Sequence, residues 1–287
     1  MTVSVVTGAS TGIGFATALH LAQQGHRVHA SVRSLASGAA LTAAAGGFDL
    51  SLMVMDVDDN ASVADAFAPI IGDTGVDILV NNAGIAAGHA IEDTPLSDFQ
   101  RSMNTNAWGM LRCIQAVLPA MRTRGSGHII NVTSVAGQLA SAGHGAYAMS
   151  KWAAEALTEV LAAEAMPFGI RVAAIEPGVI LTPIFEKGVP EDPTTPYVGG
   201  RRLGEFFMNS LMNSPASPEI VAKAIWHAIT TDDPKLRYLV GADAERFGAY
   251  RRSITDEEWI ARQADPDDDA WRAWMADASG VAMPPPA

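Results

Sequence analysis

The chain has 287 residues, 48% of them hydrophobic, with a single cysteine and a formal net charge of −12. This composition excludes collagen, coiled-coil and disordered chains, and a lone cysteine excludes an intrachain disulfide framework. The negative charge argues against nucleic acid and anionic membrane surfaces as partners, and the length suits one generous α/β domain.

The opening MTVSVVTGAS reads at once as a strand and turn, with no basic and apolar leader before it. Neither a signal peptide nor a membrane anchor is expected, and a cytoplasmic location fits. Short β-branched runs then alternate with longer segments of helical period, the pattern of a parallel sheet covered on both faces. Strands are expected over residues 3–7, 27–33, 50–55, 78–81, 127–132, 171–176 and 238–240. Helices are expected between them, among others over residues 14–24, 62–72, 105–122 and 148–168. The predicted fold is a Rossmann-type, doubly wound, mostly parallel seven-stranded sheet with helices on both faces. Ligands belong at the carboxyl ends of its strands.

Residues 1–242 are expected to form the catalytic domain. Within it, residues 183–218 begin rich in Pro and Gly and then carry Phe206, Phe207, Met208, Leu211 and Met212. A long insertion after a strand end reads as a substrate lid. Residues 243–287 read as a helical extension with a Pro-rich tail. Its Trp259, Trp271 and Trp274 are packing residues, or else cover the pocket or an interface. Cys113 lies in an apolar helical stretch and reads as a small buried side chain.

Thr7-Gly8-Ala9-Ser10-Thr11-Gly12-Ile13-Gly14 falls where the first strand gives way to the first helix. Glycines permit a tight turn and let a pyrophosphate approach the backbone, and the helix N-terminus offers free N–H groups. The spacing is not G-x-G-x-x-G, so the loop by itself also reads as an ordinary strand-to-helix turn. The second strand ends Ala30-Ser31-Val32-Arg33-Ser34, with no carboxylate to bind a ribose 2′-hydroxyl. Arg33 matches a 2′-phosphate instead, a solvated surface arginine being the plain alternative. NADP(H) is therefore expected in preference to NAD(H), which stays possible.

Tyr147 and Lys151 are four residues apart and share one helical face. A free phenol ionises only near about pH 10, and a nearby ammonium favours the phenolate needed for acid–base work. Ser134 follows an apolar strand, where its hydroxyl either donates to a substrate oxygen or caps a turn. Asn106 is a polar residue in a mostly apolar helix, either holding a water towards Lys151 or facing solvent. The seven histidines form no ligand cluster, so no metal is expected. His144, three residues before Tyr147, either lines the pocket or idles in a loop.

Taken in order, these residues resemble the short-chain dehydrogenase/reductase family over residues 3–240. The chain carries TGxxxGxG at Thr7 to Gly14, NNAG as Asn81-Asn82-Ala83-Gly84, and the family serine as Ser134. It also carries YxxxK from Tyr147 to Lys151 and PGxxxT from Pro177 to Thr182. The resemblance implies a catalytic tetrad of Asn106, Ser134, Tyr147 and Lys151 without a metal. It implies that Gly8, Ser10, Thr11, Gly12, Ile13 and Gly14 meet the cofactor. Asp56 and Val57 would contact adenine, and Asn82, with Ala83 and Gly84, would approach a cofactor ribose. Lys151 would hold the nicotinamide ribose. Ile180 and Thr182, following Pro177 and Gly178, would touch the carboxamide.

Residues 147–187 look closest to the hydroxysteroid and retinol dehydrogenase branch, which implies an apolar alcohol or carbonyl substrate. The expected activity is hydride transfer between NADP(H) and that small molecule. Two other readings keep the fold: an NADP(H)-binding sensor without turnover, and non-redox chemistry such as epoxide-forming dehalogenation. The complete tetrad and glycine loop argue against both. Many members form homodimers or homotetramers through the helices at 105–122 and 148–168.

Overall fold

The computed structural model describes residues 1–185 and 194–285. Residues 186–193, in the first part of the expected lid and including the end of the segment 147–187, therefore lie outside the described residues. Strand β1 (Val3–Val6) is buried at every position, as a central strand covered on both faces must be. The sheet has seven strands in the order β3-β2-β1-β4-β5-β6-β7, the remainder being β2 (Arg27–Val32), β3 (Leu50–Val54), β4 (Ile78–Asn81), β5 (Gly127–Val132), β6 (Ile170–Pro177) and β7 (Arg237–Val240). All six pairings are parallel. The strand order reverses between β1 and β4, which opens a crevice above the carboxyl ends of the strands.

Register fixes what meets in that crevice. Val6 lies opposite Ala30 and Val80, so the chain leaves β1, β2 and β4 at nearly one level. Thr7, Arg33 and Met55, expected as strand ends, already belong to the loops above the sheet.

One face of the sheet is covered by α1 (Gly12–Gln23) and α8 (Pro218–Thr230), whose Leu21 and Ile225 are fully buried against Val28 and Ile175. The other is covered by α3 (Asn60–Asp73), α5 (Gly109–Arg124) and α6 (Gly145–Ala165), with Phe67, Val117 and Leu161 packed on Val5 and Leu79. Cys113 is buried here, and its thiol is pushed up to about 12 by that burial, which leaves it a packing group. A short helix, α2 (Ala39–Ala45), links β2 to β3.

The helix expected from residue 105 instead starts earlier, as α4 (Leu96–Met103), and passes through a π-helical turn at Asn104–Trp108 before α5. The turn has a visible cause. The Asn106 amide binds the backbone N–H and C=O of Ile85, and the Thr105 hydroxyl donates to Asp58 at 2.9 Å. These tertiary bonds draw the backbone out of α-helical pitch.

A third apolar cluster sits beyond the carboxyl edge of the sheet. It joins α7 (Gly199–Asn213) to α9 (Ala242–Ser253), α10 (Asp256–Gln263) and α11 (Asp268–Ser279) through Phe206, Phe247, Trp259, Trp271 and Trp274. Burying a side chain such as Phe206 stabilises by about 2–3 kcal/mol. The three tryptophans are packing residues, and Trp259 Nε1 donates to Ala140 O at 2.9 Å. Arg202 of α7 is 2% exposed, pairs with Asp268 at 2.8 Å and lies over the Trp271 ring. Among the described residues no helix is long and apolar enough to cross a membrane.

Candidate active site

A groove of about 490 Å³ runs along the crevice, within the range of small-molecule sites. Its walls include Gly8, Ser10, Thr11, Gly12 and Ile13 from the first loop and Arg33 from the end of β2. Asp56, Val57, Asn82, Ala83 and Gly84 continue it, and Ser134, Tyr147, Lys151, Pro177, Gly178, Ile180 and Thr182 complete the far end. The sequence motifs, spread over 175 positions from Gly8 to Thr182, thus share one surface.

The first loop suits a phosphorylated ligand. Gly12 has φ of 59°, and Thr11, the N-cap of α1, makes no side-chain cap hydrogen bond. The first turn carries no acidic residue, so its N–H groups and the positive end of the helix remain for an external anion. Gly14 plays a different part from the one the motif implies. It is not in the groove wall, and a Cβ there would sit 2.4 Å from both Asn82 Nδ2 and Gly8 O. It is small so that the loop can close on its brace.

That brace is the NNAG segment. Thr7 Oγ1 accepts from Asn82 N at 2.9 Å and Ala83 N at 3.0 Å, while Asn82 Nδ2 donates to Thr7 O and Gly8 O. Asn82 lines the groove, but its amide protons are committed to the loop. Asn81 donates to Asn131, which donates to Thr158 on α6, a buried polar ladder tying β4 and β5 to that helix. Arg33 is exposed in the groove wall and has no ion-pair or hydrogen-bond partner among the described residues.

At the far end, helix α6 brings Tyr147 and Lys151 to one face. Lys151 is 5% exposed, donates to Val132 O at 3.1 Å, and its Nζ lies 5.6 Å from the Tyr147 ring centroid. Burial pushes the lysine down to about 8, with the Glu155 carboxylate pulling the other way. The Tyr147 phenol is pushed above its usual range by burial, a hydrogen bond with Ser134 opposing the shift. The expected lowering by the ammonium is therefore overridden: Nζ is aimed at a carbonyl, and desolvation of the phenolate prevails. At neutral pH the phenol keeps its proton and the lysine its charge.

Ser134 caps a turn, the second of its alternatives, and it does so within reach of Tyr147. Its Oγ accepts from Ala136 N at 3.1 Å as the cap of a 3₁₀ turn, yet it also reaches Tyr147. Its bond to Pro177 O is long, at 3.5 Å, so its proton is cheaply redirected. Asn106 lies behind this group rather than in the groove wall. Its Nδ2 donates to Ile85 O and Ser150 Oγ, and its Oδ1 accepts from Ile85 N at 2.8 Å. With both amide protons engaged within the protein, Asn106 stabilises the π-helical turn. Such a turn leaves a main-chain carbonyl without its α-helical donor.

His144 stacks on Tyr147 with ring centroids 4.5 Å apart, and Phe207 of α7 meets it edge-on at 5.7 Å. Burial pushes His144 down to about 4, so it is neutral here. Sequence reading missed Arg101, which lines the groove from α4 and pairs with Asp98 at 3.2 Å. No motif marks it, because an arginine on a polar helix face is ordinary. Among the described residues no group of three or more His, Cys, Asp or Glu is placed to hold a metal ion.

This fold, with a phosphate-ready loop at one end of the groove and a Ser–Tyr–Lys group at the other, defines a nicotinamide-dependent oxidoreductase. The chain belongs to the short-chain dehydrogenase/reductase family, whose model, described as short chain dehydrogenase, matches residues 2–192. Within it the chain falls in the hydroxysteroid/retinol dehydrogenase-like branch. It is 34% identical to retinol dehydrogenase 5 of Homo sapiens over 261 residues, covering 84% of this chain and 80% of that protein. It is 33% identical to 17-beta-hydroxysteroid dehydrogenase type 1 of Homo sapiens over 271 residues, 89% of this chain and 81% of that one. Among solved structures, a short-chain dehydrogenase from Streptomyces avermitilis superposes with a TM-score of 0.78 at 33% identity, covering 92% of this chain and 99% of the other.

Proposed function

We propose that the chain is an NADP(H)-dependent reductase or dehydrogenase acting on an apolar ketone, aldehyde or alcohol, with Tyr147 as the proton donor or acceptor. The carrying observation is the meeting of the Tyr147 phenol, the Ser134 hydroxyl and the Lys151 ammonium at one end of the groove. The uncapped start of α1 and Arg33, which has no partner among the described residues, support a 2′-phosphorylated dinucleotide at the other end. When bound, the nicotinamide supplies or accepts the hydride.

In reduction, Ser134 and Tyr147 both donate hydrogen bonds to the carbonyl oxygen, stabilising the negative charge that develops as the carbon gains hydride. Tyr147 then transfers its proton to that oxygen, so hydride and proton together convert the carbonyl to an alcohol. Lys151 stabilises the phenolate left behind, and solvent returns the proton past Lys151 and the turn at Asn106. Oxidation of an alcohol is the reverse. Phe185, Phe207 and Leu211 in the third cluster's margin, with neutral His144, support an apolar substrate. Exposed Trp108, Met149, Trp152 and Val160 on and beside α5 and α6 support a homodimer or homotetramer. A single buried thiol suits a reducing, cytoplasmic setting.

The test is the rate of NADPH oxidation with steroid ketones, retinal, aryl ketones and small aldehydes, NADH being run alongside. Turnover confined to apolar carbonyls and faster with NADPH is expected. A protein that binds NADPH yet turns over none of them would favour the sensor reading.

A further inference from the structure

The loop following β6 is held by the C-terminal extension. Asp243, the second residue of α9, accepts a hydrogen bond from Val179 N at 2.7 Å through Oδ2. The same carboxylate accepts from the N–H of Ala244 and from its own, so one group joins the start of α9 to the loop. The contact leaves no slack: a Cβ on Gly178 would lie 2.3 Å from both carboxylate oxygens, and one on Gly241 2.6 Å from Oδ1. Gly178 N donates to Val240 O at 3.0 Å, and further on Leu181 N donates to Ala216 O at 2.8 Å. Between these tethers the chain presents Pro177, Gly178, Ile180 and Thr182 to the groove. Pro177 O is also the acceptor of the long bond from Ser134.

We propose that Asp243 is a positioning residue for the nicotinamide end of the groove, fixing the Pro177–Val179 turn through the Val179 amide and the packing of its carboxylate on Gly178. The inference rests on the proposed cofactor reading, in which this loop meets the nicotinamide. A charged acceptor suits the task, since bonds to a carboxylate are stronger than those to a neutral oxygen and the start of α9 favours negative charge. It also gives the extension a part in the site: without Asp243 the turn keeps its bond to β7 but loses the support under Val179.

The alternative is that Asp243 only caps α9, in which case its loss lowers stability and leaves the two ends of the groove alike. Full-length Asp243→Ala and Asp243→Asn separate the two. For each, three quantities are measured: kcat on the best carbonyl substrate, the affinity and emission of bound NADPH, and the affinity for adenosine 2′,5′-bisphosphate, which probes only the adenine end. For Asp243→Ala we expect kcat to fall about 10²-fold, the loss typical of a reacting group misplaced by an ångström. NADPH binding should weaken and its nicotinamide emission shift, while the bisphosphate binds as before. Asp243→Asn, nearly isosteric and still able to accept from Val179 N, should recover part of the loss and carries the test if the alanine variant does not fold. Unchanged kcat and emission, or equal weakening of both ligands together with a lowered melting temperature, overturns the proposal. Wild-type protein that binds NADPH without turnover would sink the redox reading alone, because emission and the two affinities still decide on Asp243.

Discussion

Replacing Arg33 by alanine should cost NADPH affinity and leave NADH affinity unchanged. Arg33 stands just beyond β2 in the groove wall, with no partner among the described residues, so its guanidinium is available to a ligand phosphate. A hydrogen bond to a charged group contributes about 1.5–3 kcal/mol, and the exposure of Arg33 places the effect at the lower end. At 1.4 kcal/mol per factor of ten, NADPH should bind about 10-fold more weakly to the variant. The neighbouring Ser31 hydroxyl, which accepts from Gly8 N at 3.3 Å, is a poor substitute because it is neutral and buried. Arg33→Glu should go further, repelling the phosphate while offering a carboxylate to an unmodified ribose 2′-hydroxyl. Fluorescence titration with both cofactors at low and high salt is the assay. The NADPH advantage should shrink as salt screens the exposed charge. An NADPH-to-NADH affinity ratio that is the same in wild type and Arg33→Ala would refute the reasoning.

Tyr147→Phe should lower kcat by about 10²–10⁴-fold, the range for loss of a general acid, with NADPH affinity retained; substantial residual turnover would remove Tyr147 from its role. Because burial holds Lys151 down to about 8, kcat/KM for reduction should fall as pH rises through about 8, and a profile flat to pH 10 would contradict a requirement for the ammonium. His144 is pushed down to about 4, so between its ordinary 6.5 and 4 the unfolded chain binds a proton that the fold refuses. Its contribution is present above pH 6.5 and lost as pH falls towards 4, by about 3 kcal/mol, with buried His26 and half-buried His20, His29 and His128 acting in the same direction. Urea midpoints at pH 7 and pH 4.5 should therefore differ less for His144→Gln than for wild type. Asp268→Ala strands the buried Arg202 guanidinium and should destabilise by about 3 kcal/mol, the low end for a broken buried pair; an unchanged thermal midpoint would show that the carbonyls of Gln263 and Asp265 suffice.

The sheet was legible because central parallel strands are buried on both faces and so read as short, largely apolar runs, Val3–Val6 and Ile78–Asn81 above all. The loop motifs were legible because Gly12 must take φ of 59° and Gly14 must pack without a Cβ, demands that write themselves into sequence. What escaped depends on partners far along the chain. The π-helical turn at Asn104–Trp108 is drawn out by Ile85, some twenty residues upstream, so its helical pattern alone promised an unbroken helix. The direction of the Tyr147 shift depends on how deeply the phenol is buried and where the Lys151 ammonium points, neither of which a four-residue spacing reveals. Asp243 meets Val179 across 64 positions, with nothing near it in sequence to mark the meeting.

The extension that reads as a helical appendix is joined to Tyr147 by an unbroken series of ring contacts. Phe247 of α9 meets Phe206 at 5.4 Å, Phe206 meets Phe207 at 5.8 Å, Phe207 meets His144 at 5.7 Å, and His144 stacks on Tyr147. Close-packed interiors transmit displacement, because a side chain that shifts opens a void or a clash beside it. Phe206 is nearly fully buried and cannot move without disturbing Phe207, which meets the His144 ring stacked on Tyr147. Phe247→Ala should therefore alter substrate selectivity through α7, whereas Asp243→Ala should act through the Gly178 turn. Two residues of one helix, Asp243 and Phe247, thus lead by separate contacts to the Gly178 turn in the groove wall and to the ring stacked on Tyr147.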